Sequence, residues 1–234
     1  MGGAEYRRLA TGLIVHRTGP EHAEQLEELQ RIVFPTLTPA ERFEARHYLR
    51  HIELFPEGQF CVVDPGTGSD ARPLQLPPTA TRVVGMTSTI RMDIEFSHPA
   101  HTFAEIIQGG WLTSHQPAGS WLYGADVGTH PAYRQRGIAR ALYAARQDTV
   151  HQLCLGGQLT VGMPSGYGAV KDELTAEAYY AELLAGTRHD PTISVQLRIG
   201  FEMRGLLPGY INDPVCAGYG ILLVLPAERE VRFP

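Results

Sequence analysis

The eight residues YRQRGIAR, 133–140, hold three arginines and one glycine directly after a His-Pro pair. They sit between a strand-like stretch, SWLYGADVGT, and RGIARALYAARQDTVHQL, where Ile138, Ala141, Leu142 and Ala145 recur at helical spacing. A helix N-terminus presents unpaired backbone N–H groups with the positive end of the dipole behind them. An anion placed there gains about 0.3–1 kcal/mol, or ~2 kcal/mol when partly buried. Gly137 puts no Cβ between backbone and ligand, and the small Ala139 keeps the approach clear. Arg134, Arg136 and Arg140 would neutralise what the N–H groups bind. Lys171 is the sole lysine, so an anion site must use arginine or backbone N–H groups. The local pattern also suits a charged surface turn. Neither G-x-x-x-x-G-K-[ST] nor a G-x-G-x-x-G opening a βαβ unit is present, which argues against a mononucleotide-binding enzyme.

Other residues invite a chemical reading. Asp126 lies in an otherwise apolar strand, where burial without a partner is costly. It is either an acid–base group or a brace for a neighbouring loop. His130 precedes Pro131 and reads as a turn residue. His47 and His51 stand four apart on a helix, but no H-E-x-x-H accompanies them, so a solvated helix face is expected. HPAH, 98–101, is equally unspecific, and no metal is expected. Cys61, Cys154 and Cys216 sit in apolar stretches without a CxxC, which reads as buried small hydrophobes in a reducing cytoplasm.

The elements that must position these groups are legible from periodicity and punctuation. GLIVHRTG reads as a first strand. PEHAEQLEELQRIVF reads as a helix with Pro20 at its start. TPAERFEARHYLRHIELFP reads as a second helix, with Thr38 as N-cap, Pro39 at the first position and Glu41 completing a capping box. GQFCVVDP, TRVVGMTSTIRMDI and SWLYGADVGT read as strands, with a Gly- and Pro-rich hairpin excursion over 66–80. A short helix is expected from Phe103 to Ile107, ending at Gly109-Gly110. After the arginine-rich helix come GGQLTVGM as a strand and PSGYG as a loop. Two helices, TAEAYYAELLAG and DPTISVQLRIGF, precede the last strands, FEMRGLLPGYI and GYGILLVLP. The order is that of an α+β fold with a mixed, mostly antiparallel sheet and flanking helices. The chain reads as one domain over 1–234, with residues 1–11 a loose leader.

Composition narrows the function classes. A formal net charge of −5 argues against a nucleic-acid partner. No apolar run is long enough to span a membrane, and the first residues lack a signal-peptide core or a myristoylation pattern.

The order strand, V-x-T-H-P-x-Y, R-x-R-G-I-A, amphipathic helix, strand resembles motif A of the GNAT superfamily, the acyl-CoA-dependent N-acyltransferases. That motif, Q/R-x-x-G-x-G/A, is met by Arg134, Gly137 and Ala139. HTFAEI, WLYGADV, ARALYAARQ, DPTISVQLRIGF and LPGY further resemble a GNAT subgroup found alone or fused to carbon–nitrogen hydrolases. The resemblance covers nearly all the chain after residue 12. It implies that the pyrophosphate of acetyl-CoA rests on Gln135, Arg136, Gly137, Ile138 and Ala139, with Arg140 following and Arg134 ahead. It implies that the pantetheine arm pairs along Val127, Gly128 and Thr129, where two strands splay apart. The implied reaction is transfer of the acetyl group to a primary amine of a small molecule or peptide, in a ternary complex. A homodimer is compatible with this reading.

Such a transfer needs amine deprotonation, oxyanion stabilisation and a proton for the thiolate. The position where many family members carry an acidic tyrosine holds Gln196, a departure from the standard mechanism. Tyr210 and Tyr167 are the stand-ins. Where the family often places a base, Tyr123 occupies the approximate position and Asp126 is the nearest carboxylate. Two other readings stay open: a non-catalytic acyl-CoA-sensing module, and a phosphate or nucleotide binder unrelated to acyl transfer.

Overall fold

The computed structural model describes residues 4–66 and 82–232. Strands β1 (Glu5–Arg8) and β2 (Ile14–Arg17) lead into helices α1 (Ala23–Val33) and α2 (Ala45–Leu54). Strands β3 (Phe60–Asp64), β4 (Arg82–Thr87) and β5 (Thr89–Met92) precede the short helix α3 (Phe103–Ile107). Strands β6 (Trp121–Gly124) and β7 (Gly128–Thr129) then run into the long helix α4 (Ile138–Gln152). The chain continues through β8 (Gly157–Gly162), α5 (Ala176–Leu184), α6 (Ile193–Ile199), β9 (Glu202–Leu207) and β10 (Gly220–Pro226).

Among the described residues, ten strands make two five-stranded sheets, ordered β1-β2-β3-β4-β7 and β5-β6-β8-β10-β9. Pairing is antiparallel throughout the described sheets except between β6 and β8. Two long sequence strands each serve both sheets. The first breaks at Ser88, between β4 and β5; the second breaks at 125–127, between β6 and β7. The expected α+β fold with flanking helices is the observed one.

One buried cluster pins both breaks together. Asp126 Oδ1 accepts from the Ser88 backbone N–H at 2.5 Å, and Ala125 N–H donates to Ser88 O at 2.9 Å. Thr87 Oγ1 donates to Asp126 O at 2.8 Å. From the other side, Arg146 of α4 is 1 % exposed and donates through Nη2 to both Thr87 Oγ1 and Asp126 O. A Cβ on Gly124 would stand 2.2 Å from Arg146 Nη1, so glycine is what lets the guanidinium reach the break.

Helix α4 covers one face of the first sheet as its spacing requires. Ile138, Ala141, Leu142 and Ala145 pack on Leu13, Val15, Phe60, Val62 and Val84. Burial of a side chain such as Ile138 or Leu142 stabilises by about 1.5–3 kcal/mol. On the opposite side, α1 and α2 contribute Leu26, Leu29 and Tyr48 to a core shared with Phe43, Met86, Tyr123 and Tyr210.

Several expectations change. Residues 5–8 form an edge strand held by Tyr6 Oη, which donates to Asp148 Oδ2 at 2.8 Å, so the loose leader does not extend to residue 11. Thr38 and Glu41 do make capping contacts, Thr38 Oγ1 donating to Glu41 Oε2 at 2.6 Å, but they close only a turn. Phe43 then dives into the core, and α2 begins at Ala45 behind the N-cap Glu44. That shift rotates His47 and His51 inward, to 4 % and 1 % exposure, rather than onto a solvated face. His51 Nε2 donates to Gly110 O at 2.7 Å, and burial pulls its pKa down to about 4. Cys61 and Cys216 are buried, whereas Cys154 is exposed after the last turn of α4. Most of the excursion read over 66–80 lies outside the described residues.

Candidate active site

The arginine-rich loop is shaped before the helix begins. His130 N–H donates to Val84 O at 2.9 Å, and its ring Nδ1 accepts from Ala132 N–H at 3.2 Å, capping a single 3-10 turn over Pro131–Tyr133. Tyr133 Oη donates to Asp64 Oδ2 at 2.8 Å, and the Arg136 guanidinium lies 4.9 Å above the Tyr133 ring. Gln135 and Gly137 both adopt left-handed backbone, with φ of 64° and 79°. The first helical bond donated beyond the cap is Ala141 N–H to Gly137 O at 3.0 Å, so the N–H groups of 138–140 head the helix. A Cβ on Gly137 would meet nothing within 4 Å. Open space lies in front of a helix N-terminus flanked by arginines, which fits a polyanion.

Next to this loop two parallel strands part. β6 pairs with β8 from Leu122↔Gln158 to Gly124↔Thr160, and Thr160 Oγ1 donates to Gly124 O at 2.9 Å where the pairing ends. Beyond it, β7 turns to β4, with Met86↔Gly128 and Gly85↔Thr129, while Val161 and Gly162 stay paired with β10. Val127, Gly128 and Thr129 therefore face a wedge-shaped gap with their strand partner withdrawn. Through the 3-10 turn at Pro131–Tyr133 the same segment runs directly into the 134–140 loop.

Tyr123 and Tyr210, separated by 87 residues, meet at 3.0 Å between hydroxyls. His101, not singled out as a catalytic candidate in the sequence, completes the group: its Nε2 lies 2.8 Å from Tyr123 Oη and its Nδ1 lies 2.7 Å from Pro99 O. Both tyrosines are essentially fully buried, and burial raises their hydroxyl pKa values. Burial also lowers the pKa of His101, opposed by the Pro99 carbonyl and the Glu105 carboxylate.

Asp126 shares no bond with that group. Its Oδ2 accepts from Gln30 Nε2 at 2.8 Å, and the Tyr48 hydroxyl stands beside it. Burial pushes its pKa up to about 6, against the opposing pull of its hydrogen bonds and of Arg146. A raised carboxyl pKa favours the folded state below the unfolded value and loses that contribution as pH climbs through the folded one. An Asp126→Asn variant keeps the acceptor for Ser88 N–H and does not ionise. Its stability relative to the native chain is expected to rise by roughly 2–3 kcal/mol between pH 4 and pH 7, measured by urea unfolding at several pH values. A pH-independent difference would show that Asp126 does not ionise in this way.

Gln196 is buried on α6, and its Nε2 donates to Tyr143 Oη of α4 at 2.8 Å. Its Oε1 has no hydrogen-bond partner among the described residues and lies 2.5 Å from where a Gly162 Cβ would stand, at the end of β8. Tyr167, the other stand-in, is buried against Tyr179 and Tyr219 and belongs to that aromatic cluster. The PSGYG loop is held by Asp190, whose Oδ2 accepts from Gly166 N–H at 2.8 Å and Tyr179 Oη at 2.7 Å. Among the described residues no group of three or more His, Cys, Asp or Glu side chains is placed to hold a metal ion.

No family model matches the chain. It is 29 % identical over 206 residues to a Bacillus subtilis (strain 168) protein named Probable hydrolase YhcX, covering 88 % of this chain but 37 % of that one. The chain thus spans little over a third of that relative's length. It is 28 % identical over 205 residues to Uncharacterized N-acetyltransferase YkwB of the same organism, covering 86 % of this chain and 82 % of that one. Among solved structures, the GNAT-like decarboxylase GphF in complex with isobutyryl-CoA is similar at TM-score 0.69 and 18 % identity, over 92 % of this chain and 99 % of that one. Arabidopsis thaliana NAA60 in complex with acetyl-CoA is similar at TM-score 0.54 and 18 % identity, over 92 % and 99 % of the two chains. These likenesses concern the fold. The fold that they show is that of GNAT-type proteins.

Proposed function

We propose that this chain transfers an acetyl or related acyl group from acyl-CoA to a primary amine. The observation that carries the reading is the gap where β7 leaves β8, continuous with the open loop at the start of α4. The pyrophosphate of the acyl-CoA substrate rests on the 135–139 backbone, with Arg134, Arg136 and Arg140 adding charge. The pantetheine arm takes the strand position beside Val127–Thr129, hydrogen-bonding the backbone that β8 has left. The thioester then reaches the end of the gap near Gly124, and the amine approaches from the side of Tyr123 and Tyr210. Holding the two reactants together supplies much of the rate. Asp126 keeps the break between β6 and β7 in shape and is the carboxylate nearest the reacting atoms. The GNAT-fold neighbours crystallised with isobutyryl-CoA and acetyl-CoA support the choice of co-substrate. The amine is a small molecule or a peptide, and the transfer domain occupies the whole of the chain. No described helix is long and apolar enough to cross a membrane.

Release of free thiol from acetyl-CoA across a panel of polyamines, amino acids and N-terminal peptides tests the transfer. Amine-dependent thiol release with one member of the panel, and acetylated product by mass spectrometry, are expected. Acetyl-CoA binding with no transfer to any member would favour the sensing module instead.

A further inference from the structure

We infer that His101 is the proton acceptor of the acyl transfer, reached from the substrate amine through the hydroxyls of Tyr210 and Tyr123. The inference rests on the acyl-transfer reading and adds to it a residue from the segment between β5 and α3, outside the arginine-rich loop and the splayed strands.

The direction of the chain follows from its two ends. Pro99 O can only accept, so the 2.7 Å contact requires the proton on His101 Nδ1. Neutral imidazole then leaves Nε2 bare, and Tyr123 Oη must donate to it at 2.8 Å. With its own proton committed, Tyr123 Oη accepts from Tyr210 Oη at 3.0 Å. Tyr210 Oη is left with a lone pair and no proton to spend elsewhere: it is the end that receives. The Tyr210 ring packs where a Gly220 Cβ would stand, beside the side chain of Val161, and Val161 belongs to β8 just past the point where the strands part. The Tyr210 ring therefore packs beside β8 where the strands part, and the accepting end, His101, is partly exposed to solvent.

The step balances without any further reactant. The amine lone pair bonds the thioester carbonyl carbon and the C–S bond breaks, the thiolate taking a proton from water as it leaves. The amine proton passes to Tyr210 Oη, the Tyr210 proton to Tyr123 Oη and the Tyr123 proton to His101 Nε2. The imidazolium returns its proton to solvent. Groups that face His101 are Tyr123 from β6, Tyr210 from the segment after β9, the Pro99 carbonyl of its own segment, and the Glu105 carboxylate in the first turn of α3, which favours the imidazolium. Burial acts in the opposite sense and keeps the ring neutral and receptive at neutral pH.

Nitrogen-15 NMR of the histidine rings, together with the kinetics of two variants, tests the inference. His101 is expected as the Nδ1–H tautomer at pH 7, with its Nε2 resonance shifting in Tyr123→Phe. An Nε2–H tautomer would overturn the relay whatever the kinetics. His101→Gln keeps a polar group against Tyr123 but cannot take a proton. With the amine found by the thiol-release panel, it is expected to lower kcat by on the order of 10²-fold. The KM for acetyl-CoA should stay within about threefold, and the acid limb of the pH profile should disappear. His101→Ala should show the same loss, with imidazole restoring part of the rate, which a purely structural role would not produce. A full rate in His101→Gln would overturn the relay and leave the function standing. A native chain that neither binds acetyl-CoA nor releases thiol would overturn both, and acetyl-CoA titration of the native chain separates the two failures.

Discussion

Arg146→Met is expected to lower the unfolding free energy by about 3–5 kcal/mol. For a chain of this size that corresponds to a fall of roughly 10 °C in the thermal midpoint. The Arg146 guanidinium is buried, and its Nη2 holds Thr87 Oγ1 and Asp126 O, one group on each broken strand. Replacing a buried ion and all its partners with apolar groups is often harmless. Here the acceptors stay behind: Asp126 O keeps only the Thr87 hydroxyl, and the buried Asp126 carboxyl loses the positive charge that offsets its desolvation. The Tyr143 ring, 5.1 Å from the guanidinium, loses its stacking partner as well. Arg146→Lys should recover only part of the loss, because a single ammonium cannot reproduce the planar fork. Thermal unfolding followed by circular dichroism checks both, and a midpoint within 2 °C of native for Arg146→Met, on the order of 1 kcal/mol or less, would refute the role.

Gly137→Val is expected to weaken acetyl-CoA binding by at least about 30-fold, some 2 kcal/mol, while the chain stays folded. Two effects combine. The φ of 79° is strained for any β-branched residue. The new side chain would also project into the space that is open in front of the helix. Because nothing within 4 Å would be struck, the disturbance falls on the ligand's side of the loop rather than on the core. Gly137→Ala carries most of the backbone strain with little bulk, so its expected defect is smaller and separates the two causes. Isothermal titration reads the affinities, and native affinity in Gly137→Val would show that the loop is not the anion site.

The sequence disclosed what depends on local pattern. The α4 spacing of Ile138, Ala141, Leu142 and Ala145, the short helix at Phe103–Ile107, and the glycine at the head of the arginine helix are one-dimensional signals, and they hold. The breaks at Ser88 and 125–127 look like continuous strands in sequence because β-propensity does not register a hydrogen bond that Asp126 accepts from a residue 38 positions away. Arg146 was hidden for the opposite reason. On a helix an arginine reads as solvated, and only the missing side chain of Gly124 makes room for a buried one. Tyr123 and Tyr210 were legible as types, but their meeting, and the addition of His101, rest on tertiary contacts between strands and loops. One signal could have pointed to His101: it sits in a segment whose Thr102 and Glu105 form a capping box, which fixes where that segment turns.

The central claim is that the gap between β7 and β8 and the loop at the head of α4 together hold acyl-CoA. Hydrogen–deuterium exchange of the native chain, with and without saturating acetyl-CoA, tests it most directly. Protection is expected at the backbone N–H groups of 127–129 and 135–139, with ATP in place of acetyl-CoA leaving 127–129 unprotected. Protection absent from both segments, or the same pattern with ATP, would contradict the account.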